Sequence, residues 1–135
     1  MLFRSGGNPL ASAAGLAALE IIVKENLVEN AERVGRAMLA RLEAMKEKHR
    51  VIGLVRGKGL MLGIELVRDQ KTKEPIAKDF TRTLYQECLK RGLVAMTYSP
   101  SIRINPPLVI REETALAGLA ILDEALQATS QVHGV

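Results

Sequence analysis

Apolar positions along the chain follow two periods, and the change from one to the other divides the sequence into elements. Residues 10–24 are dense in Ala and Leu and apolar almost all round, which predicts a helix covered on several sides by its own domain or by a partner. Asn8 is placed to cap this helix and Pro9 to occupy its first position. Residues 27–49 predict a second helix, because Val34, Met38, Leu42 and Met45 recur at spacings of four, four and three and trace one stripe. From Val51 the period shortens: Leu60, Leu62, Ile64 and Leu66 alternate with Met61, Gly63, Glu65 and Val67, the period of a strand. Arg56-Gly57-Lys58-Gly59 reads as the tight turn or bulge of a β-hairpin between residues 51–55 and Leu60.

A polar loop over residues 69–75 leads into a third helix at 76–91, stopped by Gly92. Residues 93–96 and 101–104 predict two short strands, after which Asn105-Pro106-Pro107 cannot continue a paired ladder. Leu116, Leu119 and residues 120–126 form a last helix, with Glu112 and Glu113 near its positive N-terminal end. Residues 129–135 read as a short frayed tail. The order helix-helix-strand-strand-helix-strand-strand-helix predicts an α+β fold: a two-layer sandwich in which a small, mostly antiparallel sheet of about four strands carries helices on one face. The 135 residues fit a single domain, 1–135.

Composition narrows the function classes. The charged fraction is 25% and the net charge +4, but basic and acidic residues interleave, as in Glu47-Lys48, Arg68-Asp69 and Lys73-Glu74, which describes a solvated mixed-charge surface. Aromatic residues are only 3% of the chain, too few for base-stacking platforms, so no nucleic-acid partner is expected. No apolar run reaches the roughly 20 residues of a membrane span and no signal-peptide core follows Met1, so the expected location is cytoplasmic, away from membranes. The single cysteine, Cys88, falls in a helix and reads as a small buried thiol. His49 and His133 are the only histidines, no Cys/His/Asp cluster has metal-ligand spacing, and no phosphate-loop signature occurs. Periodicity and composition stop there.

Five segments go further. Gly6-Gly7-Asn8-Pro9-Leu10-Ala11, Glu25-Asn26-Leu27, the run from Val55 through Gly57, Gly59 and Gly63 to Leu66, Ile102-Arg103-Ile104-Asn105-Pro106-Pro107-Leu108, and Ile121-Leu122-Asp123-Glu124-Ala125-Leu126 stand in one order and at spacings that cover nearly the whole chain. Together they resemble the C-terminal, small-domain portion of class III pyridoxal-phosphate aminotransferases, the group of the 4-aminobutyrate, ornithine and acetylornithine enzymes. The resemblance implies a transaminase acting on an amino acid and a keto acid, with racemases and decarboxylases sharing the scaffold. It also implies a homo-oligomer or a large-domain partner. A free-standing interaction module that keeps the fold and loses the chemistry is the alternative.

The resemblance assigns roles by position. Arg103 matches the arginine that grips the substrate carboxylate, a task suited to the planar fork of a guanidinium. From the residues alone it is an ordinary surface arginine of a strand. The turn around Gly6 and Gly7 matches the segment that approaches the cofactor phosphate of a neighbouring subunit. Arg4 and Ser5 stand where the family usually has a threonine, so the implied cofactor contacts are Arg4, Ser5, Gly6 and Gly7. The same turn serves equally as a plain helix cap. Arg111 stands where relatives commonly have a capping Thr or Ser. None of the lysines (Lys24, Lys46, Lys48, Lys58, Lys71, Lys73, Lys78 and Lys90) matches the motif of the family's cofactor-bearing lysine. Pyridoxal 5'-phosphate therefore belongs to the complete enzyme, no covalent attachment to this chain is expected, and the chain alone should not transaminate.

Overall fold

A computed structural model describes residues 7–97 and 100–135. The elements are α1 (Pro9–Lys24), α2 (Leu27–Lys48), β1 (Ile52–Lys58), β2 (Met61–Leu66), α3 (Lys78–Lys90), β3 (Met96–Thr97), β4 (Ser101–Ile104) and α4 (Glu112–His133). The four strands form one antiparallel sheet in the order β1-β2-β4-β3. This is the α+β arrangement that the order of hydrophobic periods predicts.

Strand alternation decides which face is buried. Val55, Leu62, Ile64, Leu66 and Ile102 lie on the helix side and join Val34, Met38, Leu42 and Met45 of α2, Phe80 and Leu84 of α3, and Leu119, Leu122 and Leu126 of α4 in one core. Burying a side chain of this size contributes about 1.5–3 kcal/mol relative to leaving it in water. The neighbouring strand positions therefore face away from the helices: Leu54, Arg56, Met61 and Arg103 are exposed, Gly63 and Glu65 half-buried.

The hairpin closes later than expected. β1 continues through Arg56, Gly57 and Lys58, which pair with Gly63, Leu62 and Met61, and the turn is Gly59-Leu60. Gly59 takes φ +54, a left-handed conformation that a glycine adopts without steric cost. The irregularity in β1 lies nearer its start, between Ile52 and Leu54. Gly35 of α2 sits directly on this turn: a Cβ there would stand 2.1 Å from the Gly59 carbonyl oxygen. Helix and turn meet backbone to backbone, and only glycine permits it.

Two further expectations need correction. β3 is only Met96–Thr97, displaced from the predicted 93–96, because Leu93 is drawn into the stop of α3, its N–H donating to the Cys88 carbonyl at 2.9 Å. α4 runs to His133, through the segment expected to fray. Thr129 is fully buried and donates to the Ala125 carbonyl (2.7 Å). The His133 ring lies 5.3 Å from Phe80 and its Nε2 is 3.0 Å from Thr83 Oγ1. Tertiary anchors thus hold a segment whose own composition predicts little. Asn8 caps α1 as expected, its Oδ1 accepting from the Ala11 N–H at 2.9 Å. Arg111 precedes α4 without a side-chain cap. α1, by contrast, has no buried residue and packs only on α2, so its own domain does not cover it.

The C-terminal part of α2 is tied to the middle of α4 by one carboxylate. Asp123 accepts from His49 Nε2 (2.5 Å) and Lys48 Nζ (2.8 Å) at Oδ1, and from Arg41 Nη2 (2.9 Å) at Oδ2. Burial pushes its pKa up, but His49 and Lys48 outweigh burial and hold it below the ordinary 3.8. A carboxylate depressed in the folded state contributes stability that is present above its unfolded pKa and is lost as pH falls through the folded one.

Asp123→Asn should therefore cost about 2 kcal/mol near pH 7, from charged hydrogen bonds lost. In chemical denaturation the gap between the two proteins should close as pH falls below 3.8; a gap independent of pH would contradict the assignment. Gly35→Ala should cost about 2–3 kcal/mol, lowering the urea midpoint with an unchanged slope, because a methyl group meets backbone that cannot step aside.

Candidate functional site

Arg103 projects from β4 on the face of the sheet that the helices leave open. Its register partners are Gly63 on β2 and Met96 on β3. Among the described residues its guanidinium makes no hydrogen bond or ion pair, so those donors are available to a ligand. Glycine opposite it leaves the space beside the side chain unfilled; a Cβ at Gly63 would touch nothing nearer than the Ile102 carbonyl oxygen at 3.4 Å.

The strand is fixed at the end that follows Arg103. Asn30 of α2 donates from Nδ2 to the carbonyls of Leu108 (2.7 Å) and Ile110 (3.1 Å), pinning the proline loop to the helix. Arg33 holds Asn30 in turn, donating to its Oδ1 at 2.9 Å, and pairs with Glu112 at 2.6 Å. A short strand ended by prolines and a clamped loop loses little further freedom when a ligand binds. Sequence reasoning missed Asn30. The signal was present only in part: an amide at the buried edge of the α2 stripe.

The same open face carries a second arginine. Arg56 Nη2 pairs with Glu65 Oε1 at 2.7 Å across β1 and β2. Arg56 and Arg103 flank Gly63 from opposite sides, and both stand diagonal to Glu65.

Of the expected cofactor contacts, Arg4, Ser5 and Gly6 lie outside the described residues. Gly7 is exposed, and among the described residues beyond its chain neighbours none comes within 4 Å of where its Cβ would be. The first turn of α1 is served by Asn8, whose carbonyl accepts from the Ser12 N–H at 3.0 Å and whose Oδ1 accepts from Ala11. The described part of the turn is a capped helix N-terminus.

Several other side chains that could carry chemistry are engaged elsewhere in this chain. Lys48 is committed to Asp123, Lys90 to Glu87, Lys46 to Glu43, and Lys73 donates to the Gly53 carbonyl. No lysine of the chain is buried, the condition that would strip its charge and make it a nucleophile. Burial pushes the Cys88 thiol up to about 11, so it stays a protonated core side chain. Among the described residues no group of His, Cys, Asp and Glu could hold a metal. No helix there is long and apolar enough to cross a membrane. An open hollow of about 500 Å³ between α3 and β3, lined by Tyr85, Val94 and Met96, does not include Arg103.

Comparison with known proteins agrees with this geometry. The class III aminotransferase family model matches residues 5–126. The leucine/methionine racemase of Thermococcus litoralis is 41% identical over 120 residues, which are 89% of this chain and 27% of that protein. An aminotransferase of Bacillus anthracis superposes with a TM-score of 0.85 at 37% identity, over 90% of this chain and 29% of its own. An amine transaminase from an uncultivated Pseudomonas species, solved in its PLP-bound form, superposes with a TM-score of 0.79 at 34% identity, over 91% of this chain and 27% of its own. The chain thus spans little more than a quarter of the relatives it matches. With matching sequence over residues 5–126 and a matching sheet and helix layer, this chain belongs to the class III aminotransferase family.

Proposed function

We propose that this chain is the small-domain part of a class III pyridoxal-phosphate aminotransferase and that Arg103 binds the substrate carboxylate there. One observation carries the reading: Arg103 is an exposed guanidinium without a partner among the described residues, on a sheet face that the chain's own helices leave uncovered. Hydrogen bonds from such a group to a carboxylate are worth about 1.5–3 kcal/mol each. The clamped loop behind β4 supports a fixed rather than a searching side chain. Pyridoxal phosphate, when bound in the complete enzyme, supplies the electron sink for moving an amino group. By family resemblance we propose Arg4, Ser5, Gly6 and Gly7, the segment that precedes α1 in sequence, as the residues that approach its phosphate.

The exposed apolar surface of α1 supports a protein partner. Leu10 is 81% and Val23 76% exposed, with Leu16, Leu19 and Ile21 also largely in water. Contiguous apolar surface of this kind marks an interface. We assign it to the large domain of the enzyme or to a second subunit. A racemase is the second reading of the reaction, favoured by the 41% identity to the leucine/methionine racemase.

The chain alone is expected to be inactive, since no lysine in it is desolvated or matches a cofactor-bearing motif. After mixing with pyridoxal phosphate, borohydride reduction and peptide mapping should find no adduct concentrated on one lysine. A stoichiometric adduct at a single position would refute this. Light scattering should show the chain self-associating through α1, with Leu16→Glu and Leu19→Glu together returning it to a monomer. A wild-type chain that is monomeric at high concentration would rule out the second subunit and leave the large domain as the occupant.

A further inference from the structure

The open sheet face carries more than one arginine, and their spacing constrains what Arg103 can do. Gly63 pairs with Arg56 on one side and with Arg103 on the other. Glu65, two residues further along β2, pairs with Leu54 and with Ser101. Glu65 is therefore diagonal to Arg56 and to Arg103 by the same register offset. Diagonal positions across a ladder lie about 7–8 Å apart, within reach of long side chains. One carboxylate thus stands diagonal to two guanidinium groups, on opposite sides of β2, and it pairs with Arg56 at 2.7 Å.

Resting on the reading of Arg103 as the carboxylate-binding residue, we infer that Arg56 is a positioning residue: by holding Glu65, it keeps Glu65 from occupying Arg103. Glu65 is otherwise a built-in competitor for the substrate, since a side-chain carboxylate presents the same fork of oxygens to the guanidinium as a ligand does. Being tethered, it competes at a high effective concentration. The glycine at position 63 makes the competition possible, because no side chain separates the two stations. The arrangement also leaves a net positive charge on the face. Arg56 cancels Glu65, and Arg103 remains as the cation that an anionic ligand meets.

The competition makes a signed prediction. Removing Arg56 should weaken ligand binding at a residue it does not touch, and removing Glu65 as well should restore it. A purely structural role for the pair would make the double variant no better than the single one. The probe is acetate on the full 135-residue chain, replacing chloride at constant ionic strength. The readout is the amide resonance of Gly63, the residue opposite Arg103. Arg56→Met should weaken acetate binding about threefold, the scale of an exposed ion pair. The Arg56→Met/Glu65→Gln variant should return to the wild-type affinity. Wild-type affinity in Arg56→Met, or a double variant as weak as Arg56→Met, overturns the inference. Arg103→Met separates the two levels. If it leaves the acetate response intact, the reading of Arg103 itself is wrong; if it abolishes the response while Arg56→Met behaves as wild type, only the competition is wrong.

Discussion

One-sided burial of the sheet is the constraint from which the rest follows. A strand has a period of two, so committing Val55, Leu62, Ile64 and Ile102 to the core obliges Arg56, Gly63, Glu65 and Arg103 to face the other way. Slipping β4 by one residue would bury Arg103 and expose Ile102, and slipping β1 would bury Arg56 and expose Val55. The core thus specifies the register, and the register places Arg103 beside a glycine and diagonal to a carboxylate. The chemistry of the open face is written by the packing of the closed one.

The backbone contact between Gly35 and the Gly59 turn supports that register from the helix side. It allows α2 to lie low over β1 and bring Val34 and Met38 onto the sheet. At the far end of α2, Asp123 gathers Arg41, Lys48 and His49, and so fixes the helix against α4. Nearer the start of α2 than either anchor, Asn30 reaches the loop after β4. α2 is accordingly the element through which strand, loop and last helix are mutually placed.

Much of this architecture was legible in the residues. The α2 stripe, the alternation of β2 and the αL stop at Gly92 depend on near neighbours in sequence, and they appear where periodicity puts them. What escaped depends on distant partners. Nothing local distinguishes Gly35 from any helical glycine, and nothing near His133 announces Thr83 and Phe80. The bond between His49 and Asp123 spans 74 residues. The glycines of Arg56-Gly57-Lys58-Gly59 pointed to a turn, but only pairing with β2 decides that Gly57 is strand and Gly59 is turn. Arg103 as a site residue came from family resemblance, and its surroundings, Gly63, Glu65 and Arg56, came from register.

Asn26 joins α1 to α2 as a single left-handed residue at φ 51, its N–H bonded back to Val23 and its carbonyl forward to Asn30. A 16-residue helix is a rod of roughly 24 Å at 1.5 Å per residue. A rod that long, hinged at one residue and leaning only on α2, amplifies angle into displacement: tilting it by about 10° carries its far tip roughly 4 Å. The direction in which the first turn of α1 points therefore follows from the torsion of one asparagine and from whatever surface α1 rests against.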